Sequence, residues 1–232
     1  MAGKELTLLG LWASPFVLRA RIALSLKGLT YAYSEENLDD KSELLLSSNP
    51  VLKKVPVLIH HGKPVCESQI IVQYVDEAFP AAAPNFLPSD PYDRAIARFW
   101  ASYVDDKFYS AWIPVFRGRT AEEMAEAARQ AVAALETLEQ AFRECSKGKA
   151  FFGGDSVGLV DVVLGGLVGW LYATEAICGV KALDAGRTPL LAAWAERFCA
   201  LEGVKGLIPD VDRLLEYTKA RRAVFGLPPL RP

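Results

Sequence analysis

The sequence predicts a small α/β domain followed by an all-helical one. Three observations carry this. Strand-like apolar runs alternate with helical spacing up to residue 79, four prolines crowd the twelve residues from Pro80 to Pro91, and no strand signal recurs beyond them. The 232 residues allow one large domain or two small ones at roughly 100 to 200 residues per domain, and either can bury a core.

Leu6 to Trp12 is a compact apolar run that suits a buried strand. Ser14-Pro15 follows as N-cap and first helical residue: the hydroxyl can accept from an orphan N–H, and proline has no N–H to leave unpaired. From Phe16 to Lys27 the residues Phe16, Ala20, Ala23, Leu24 and Leu26 are helically spaced around Arg19 and Arg21, with Gly28 where a C-cap belongs. Tyr31 and Tyr33 mark a second strand, and the β-α-β connection makes the pair parallel. Lys41 to Ser48 reads as a short helix stopped by Asn49-Pro50. Val55 to Ile59 and Pro64 to Cys66 flank a His61-Gly62 turn as a hairpin, and Ser68 to Phe79 returns to helical spacing.

Past the proline-rich linker the period is helical through Ile96, Phe99, Trp100 and Tyr103, with Pro114 expected to end or kink that helix. An Ala/Glu-rich helix covers Thr120 to Phe142. A third, from about Leu159, is apolar on all sides and is expected to form the core. Pro189 to Leu201 and Asp210 to Val224 add two more, and the GLPPLRP tail reads as irregular. The predicted domains are residues 1–80 and 92–232, joined by 81–91.

Composition narrows the function classes. Half the residues are hydrophobic, mean hydropathy is +0.15, and a net charge of −2 gives no bulk attraction for phosphate backbones or anionic membranes, so neither nucleic acid nor membrane is an expected partner. Cys66, Cys145, Cys178 and Cys199 contain no C-x-x-C pair and read as reduced thiols. The longest apolar stretch, Val157 to Ala173, is broken by Asp161 and four glycines, and the N-terminal apolar run is short for a signal peptide. The expectation is a cytoplasmic, unanchored protein.

Nucleotide-binding glycine loops, H-E-x-x-H and calcium loops are absent, and no metal is expected. His60-His61 reads as a pair of solvated turn residues. Asp105-Asp106 reads as a solvated helix face, because adjacent helical residues point about 100° apart. Lys219, Arg221 and Arg222 read as complements to a helix dipole. The informative residue is Ser14: a hydroxyl between a buried strand and a helix N-terminus lies where an anion is best stabilised, although an ordinary N-cap would look the same. Val55-Pro56 opens an apolar strand, where a cis bond would turn backbone groups outward toward an extended ligand. Glu67-Ser68, at another strand-to-helix junction, suits a zwitterion, with Ser68 facing a carboxylate and Glu67 an ammonium. Lys41 and Lys54 offer cations for a second carboxylate.

The strings LGLWASPFVLRARIAL, NPVLKKVPVLIHHGKPVCESQIIVQYVDE and FWASYVDDKFY resemble the glutathione transferases, most closely the plant tau class, over essentially the whole chain. The resemblance implies a thioredoxin-like N-terminal domain, a helical-bundle C-terminal domain, a homodimer, and glutathione as co-substrate with no cofactor. It implies Ser14 as the catalytic serine and Val55 before a cis-Pro56 as partner of the cysteinyl backbone. Glu67 and Ser68 would then hold the γ-glutamyl end, and Lys41 and Lys54 the glycine carboxylate. Serine rather than cysteine at the catalytic position favours conjugation over thiol exchange, with hydroperoxide reduction as a side activity. Hydrophobic electrophiles such as xenobiotics and herbicides would lie over Ser14 between the domains, against Phe16, Leu38, Tyr109, Trp112, Trp170 and Tyr217. Where relatives have Ser or Thr as a cap, this chain has Gly158 before Leu159-Val160-Asp161, which weakens that cap. Asp76 and Glu77 meeting Arg94 or Arg98 of a second copy is an expected dimer contact. The competing reading is a noncatalytic carrier of hydrophobic anions or glutathione conjugates.

Overall fold

The computed structural model describes residues 5–230. Residues 1–4 and 231–232, which complete the predicted domains and tail, lie outside it. Chain order begins β1 (Leu6–Gly10), α1 (Pro15–Leu26), β2 (Ala32–Glu35), α2 (Glu43–Ser48), β3 (Val57–His60), β4 (Lys63–Cys66) and α3 (Ser68–Ala78). The sheet order is β2-β1-β3-β4: β1 and β2 run parallel, as the connectivity predicts, and β3 and β4 are antiparallel to their neighbours. This is the thioredoxin-like arrangement. The first strand stops at Gly10 rather than Trp12, and a side chain at Gly10 would fall 2.4 Å from a methyl of Val17.

The linker is tied down rather than free. Asp76 accepts from the backbone N–H groups of Phe86 and Leu87 at 2.9 and 3.0 Å and pairs with Lys27 at 2.8 Å. Asp76 is therefore buried and spoken for within its own chain, which corrects its assignment as an intersubunit contact. Arg98 likewise donates to Gln73 at 2.8 Å.

Asp90 caps α4 (Pro91–Tyr103) through the N–H groups of Tyr92 and Asp93. The helix then widens into a π-helical turn, Val104–Tyr109, before α5 (Ser110–Arg117). Pro114 does not end α5. Three more helical residues follow it, and the Gly118 N–H closes the turn on the Pro114 carbonyl at 2.6 Å. The remaining helices are α6 (Ala121–Ser146), α7 (Leu159–Gly165), α8 (Val168–Cys178), α9 (Pro189–Ala200) and α10 (Val211–Val224).

The apolar segment expected as one core helix is thus two, α7 and α8, and every residue of α7 is buried. Its glycines permit close approach. A side chain at Gly165 would fall 2.3 Å from the Phe198 ring, and one at Gly166 would fall 2.5 Å from the Pro15 carbonyl and 2.6 Å from Cγ of Arg19. The weakened cap at Gly158 is compensated by Asp161, which is fully buried and accepts four hydrogen bonds of 2.8 to 3.0 Å, from the N–H groups of Phe152, Gly153 and Gly158 and the Trp194 indole. Burial pushes its carboxyl up to about 6, against the pull of those donors.

Candidate functional site

The pairing register brings most of the predicted residues to one end of the sheet. Leu9 lies opposite Val57 and Val57 opposite Cys66, so the chain leaving β1, the Val55-Pro56 entry to β3 and the Glu67-Ser68 exit from β4 share an end. Gly10 pairs in parallel with Glu35, so the loop after β2, carrying Leu38 and Lys41, leaves from that end too.

Ser14 is the N-cap of α1, in extended conformation, with Pro15 as the first helical residue. Its Oγ accepts from the Val17 N–H at 3.3 Å, which leaves the hydroxyl proton free to point away from the helix. The preceding residue is fixed from the helical domain: the Trp170 indole N–H donates to the Ala13 carbonyl at 2.9 Å. The Val55-Pro56 bond is cis. Asn49, buried, accepts from the Leu52 N–H and donates to the Lys54 carbonyl, which shapes the loop carrying Lys54. Lys41 is half-buried and Lys54 exposed, and neither has an ion-pair partner among the described residues.

Glu67 is exposed and adopts φ 70°, a left-handed backbone unusual for a residue with a side chain and typical of functional sites. Ser68 beside it is buried, and its Oγ accepts from Nη1 of Arg19 at 3.2 Å, again leaving its proton to donate. Arg19, fully buried, is the centre of a network that the sequence reading missed. It donates to the Val163 carbonyl at 2.8 Å and to both carboxylate oxygens of Asp105 at 2.6 and 3.0 Å. Gln69 donates to the same carboxylate at 2.7 Å. Asp105 is therefore not a solvated face. It sits in the π-helical turn, a local geometry often found at functional positions. A signal existed, since Arg19 lies one helical turn from both Phe16 and Ala23 on the apolar stripe of α1.

The predicted aromatic wall divides. Trp112 and Trp170 are buried packing residues; they meet edge-on at 5.5 Å, and the Trp112 indole donates to the Thr174 hydroxyl at 2.8 Å. Phe16 and Tyr109 are half-buried and pack edge-on at 4.9 Å, and Tyr217 packs edge-on against Trp12 at 5.4 Å. Leu38 is exposed. Burial raises the Tyr109 and Tyr217 hydroxyl pKa values, so both stay protonated at neutral pH. Two arginines expected at a helix end do other work. Arg221 pairs with Asp39 through hydrogen bonds of 2.5 and 3.2 Å, linking α10 to the loop after β2, while buried Arg222 donates to the carbonyls of Phe116, Gly118 and Pro228.

Comparison with known proteins matches this architecture. The sequence fits the family model described as glutathione S-transferase, N-terminal domain, over residues 4–77, and that described as glutathione S-transferase, C-terminal domain, over residues 92–202. A probable glutathione S-transferase GSTU6 of Oryza sativa subsp. japonica is 60% identical over 223 residues, covering 94% of each chain. Glutathione S-transferase U18 of Arabidopsis thaliana is 48% identical, covering 94% of this chain and 96% of that one. Among solved structures, a tau class glutathione S-transferase from mango, Mangifera indica, superposes with TM-score 0.88 at 49% identity, over 93% of this chain and 98% of that one. A rice enzyme, OsGSTU1, solved in complex with glutathione, superposes with TM-score 0.86 at 40% identity, over 95% and 99%. The chain belongs to the glutathione S-transferase family, and the relatives it resembles include members of the plant tau class.

Proposed function

We propose that this protein binds glutathione across the sheet end and uses Ser14 to hold its sulfur as a thiolate that attacks hydrophobic electrophiles. The observation that carries the reading is Ser14 itself: its oxygen is engaged by the Val17 N–H, its proton is free, and it stands at the positive end of α1. A free thiol with a pKa of about 8.5 is only a few per cent thiolate at pH 7. Bringing that value to about 6.5 requires about 2.7 kcal/mol. One hydrogen bond to a charged group supplies roughly 1.5 to 3 kcal/mol, and a helix N-terminus roughly 0.3 to 1. No general base is needed, and the thiol proton passes to solvent.

In the same reading Ser68 donates to the γ-glutamyl carboxylate, Glu67 receives the ammonium, the Val55 backbone pairs with the cysteinyl residue, and Lys41 and Lys54 face the glycine carboxylate. The thiolate lone pair forms the carbon–sulfur bond. In substitution the leaving group departs with its electron pair, and in addition the resulting carbanion takes a proton from water. Phe16, Leu38, Tyr109 and Tyr217 offer apolar contact with few fixed hydrogen bonds, which suits broad selectivity among flat molecules. Hydroperoxide reduction is a secondary activity of the same thiolate, and no cofactor is required. A homodimer belongs to this reading, supported by Val51, Leu52, Ile70, Tyr92 and Phe99, large apolar side chains left exposed. So does a cytoplasmic location, supported by four free cysteines.

The test is an ultraviolet titration of bound glutathione with wild type and Ser14→Ala. The wild type is expected to show thiolate well below the solution pKa. The variant should retain binding, lose the shift, and conjugate chlorodinitrobenzene about a hundredfold more slowly. A variant with full turnover would remove Ser14 from the mechanism, and a wild type without the shift would favour the carrier.

A further inference from the structure

We propose that Glu5, His60 and His61 form a site for one divalent cation of the zinc, nickel or cobalt kind, at the opposite end of the sheet from Ser14. Two consecutive strand residues normally point to opposite faces. Here His60 ends β3 and His61 follows at φ 50°, the left-handed first position of a two-residue turn completed by Gly62 at φ 76°. That reversal lays the two imidazoles side by side, ring centroids 4.3 Å apart and planes 24° from parallel. The pairing of β1 with β3 supplies the third donor. Leu6 is opposite His60, and the His61 N–H donates to the Glu5 carbonyl at 3.1 Å, so the Glu5 side chain emerges next to the histidines.

One ligand atom from each of the three residues lies within 4.8 Å of the other two. Bonds of about 2.0 to 2.1 Å in a tetrahedral site place ligand atoms roughly 3.3 to 3.5 Å apart. His61 Nε2 and the Glu5 carboxylate are already 3.5 Å apart, and the His60 donor lies within 4.8 Å of both ligand atoms, so small side-chain rotations close the site. Nδ1 of His60 lies 2.7 Å from the Tyr74 hydroxyl. A histidine ligand usually donates through its second nitrogen to such an outer partner, which fixes the ring and leaves Nε2 for the metal. Phe79 packs against the same ring at 5.4 Å. The expectation that both histidines are solvated turn residues therefore holds for His61 alone, because His60 is half-buried and oriented. Two imidazoles and a carboxylate suit borderline cations rather than calcium or magnesium, and three protein donors leave a position for water. The bound ion would clasp the start of β1 to the β3–β4 turn.

The experiment is native mass spectrometry and titration calorimetry with Zn2+ in glutathione-free buffer, on the untagged chain. The expected result is one ion per chain, a melting temperature that rises with Zn2+, and affinity at least about tenfold weaker in both Glu5→Gln and His61→Asn. Asparagine tolerates the left-handed backbone, so His61→Asn keeps the turn, which far-ultraviolet circular dichroism verifies. Affinity unchanged in both variants, no binding by the wild type, or binding abolished by thiol alkylation would each overturn the site.

Discussion

The guanidinium of Arg19 and the carboxylate of Asp105 meet through two hydrogen bonds across 86 residues of sequence, and the same guanidinium donates to Ser68. A residue of the helical domain thereby orients a residue assigned to glutathione. Removing the acid would leave a buried cation without its counter-charge. Breaking such a pair costs about 3 to 5 kcal/mol when both partners are buried, and on the order of 2 here because the Asp105 side chain is a quarter exposed. Asp105→Ala should lower the free energy of unfolding by that amount, with a correspondingly lower urea midpoint, and weaken glutathione binding about tenfold, with Asp105→Asn milder on both counts. Unfolding curves and equilibrium binding check this.

Trp170→Phe should keep the edge-on contacts to Phe116 and Trp112 while stripping the donor from the Ala13 carbonyl. An unsatisfied buried carbonyl costs about 1 to 3 kcal/mol. Because Ala13 precedes Ser14, the variant should also raise the pKa of the bound thiol, measurable by the same ultraviolet titration. A stability loss without that rise would make Trp170 a packing residue only.

Gly166→Ala should destabilise by about 1 to 3 kcal/mol, since the added methyl would meet the Pro15 carbonyl and the Arg19 stem. Gly62→Ala, where nothing lies within 4 Å, should suffer only the cost of its positive φ. Thermal melts of the two variants separate crowding from backbone strain.

The Asp39–Arg221 pair supplies a pH dependence. The Arg221 guanidinium, through its hydrogen bonds, holds the Asp39 carboxyl below its ordinary value. A group depressed in the folded state stabilises it above the unfolded pKa and loses that contribution as pH falls through the folded one. The link between α10 and the loop after β2 should therefore be intact at neutral pH and release only below about pH 4. In Arg221→Gln the Asp39 pKa should return upward, visible by carboxyl NMR, and added salt should weaken the wild-type link.

The sequence made the local signals legible. Ser14-Pro15 announces its helix, and His61-Gly62 its turn, because capping and left-handed φ are properties of neighbouring residues. The tau-like motifs likewise point to the positions proposed for glutathione, which the fold gathers at one end of the sheet. What stayed hidden depends on partners far along the chain. A charged residue such as Arg19 or Asp105 reads as solvated unless its counterpart is known to be opposite. Asp76 read as surface for the same reason, although its ligands, the Phe86 and Leu87 N–H groups, lie only about ten residues away in a segment that reads as linker. The division of the apolar helix into α7 and α8 rests on glycines whose need arises from Phe198, Pro15 and Arg19.

The hold of Trp170 on Ala13, with that of Val163 and Asp105 on Arg19, bears on how such proteins can be recombined. A chimera that joins residues 1–80 to the helical half of a relative keeps the proposed thiol pocket in shape only if the donor half brings all three grips. Exchanging halves to alter electrophile preference is then a test of compatibility first and of selectivity second.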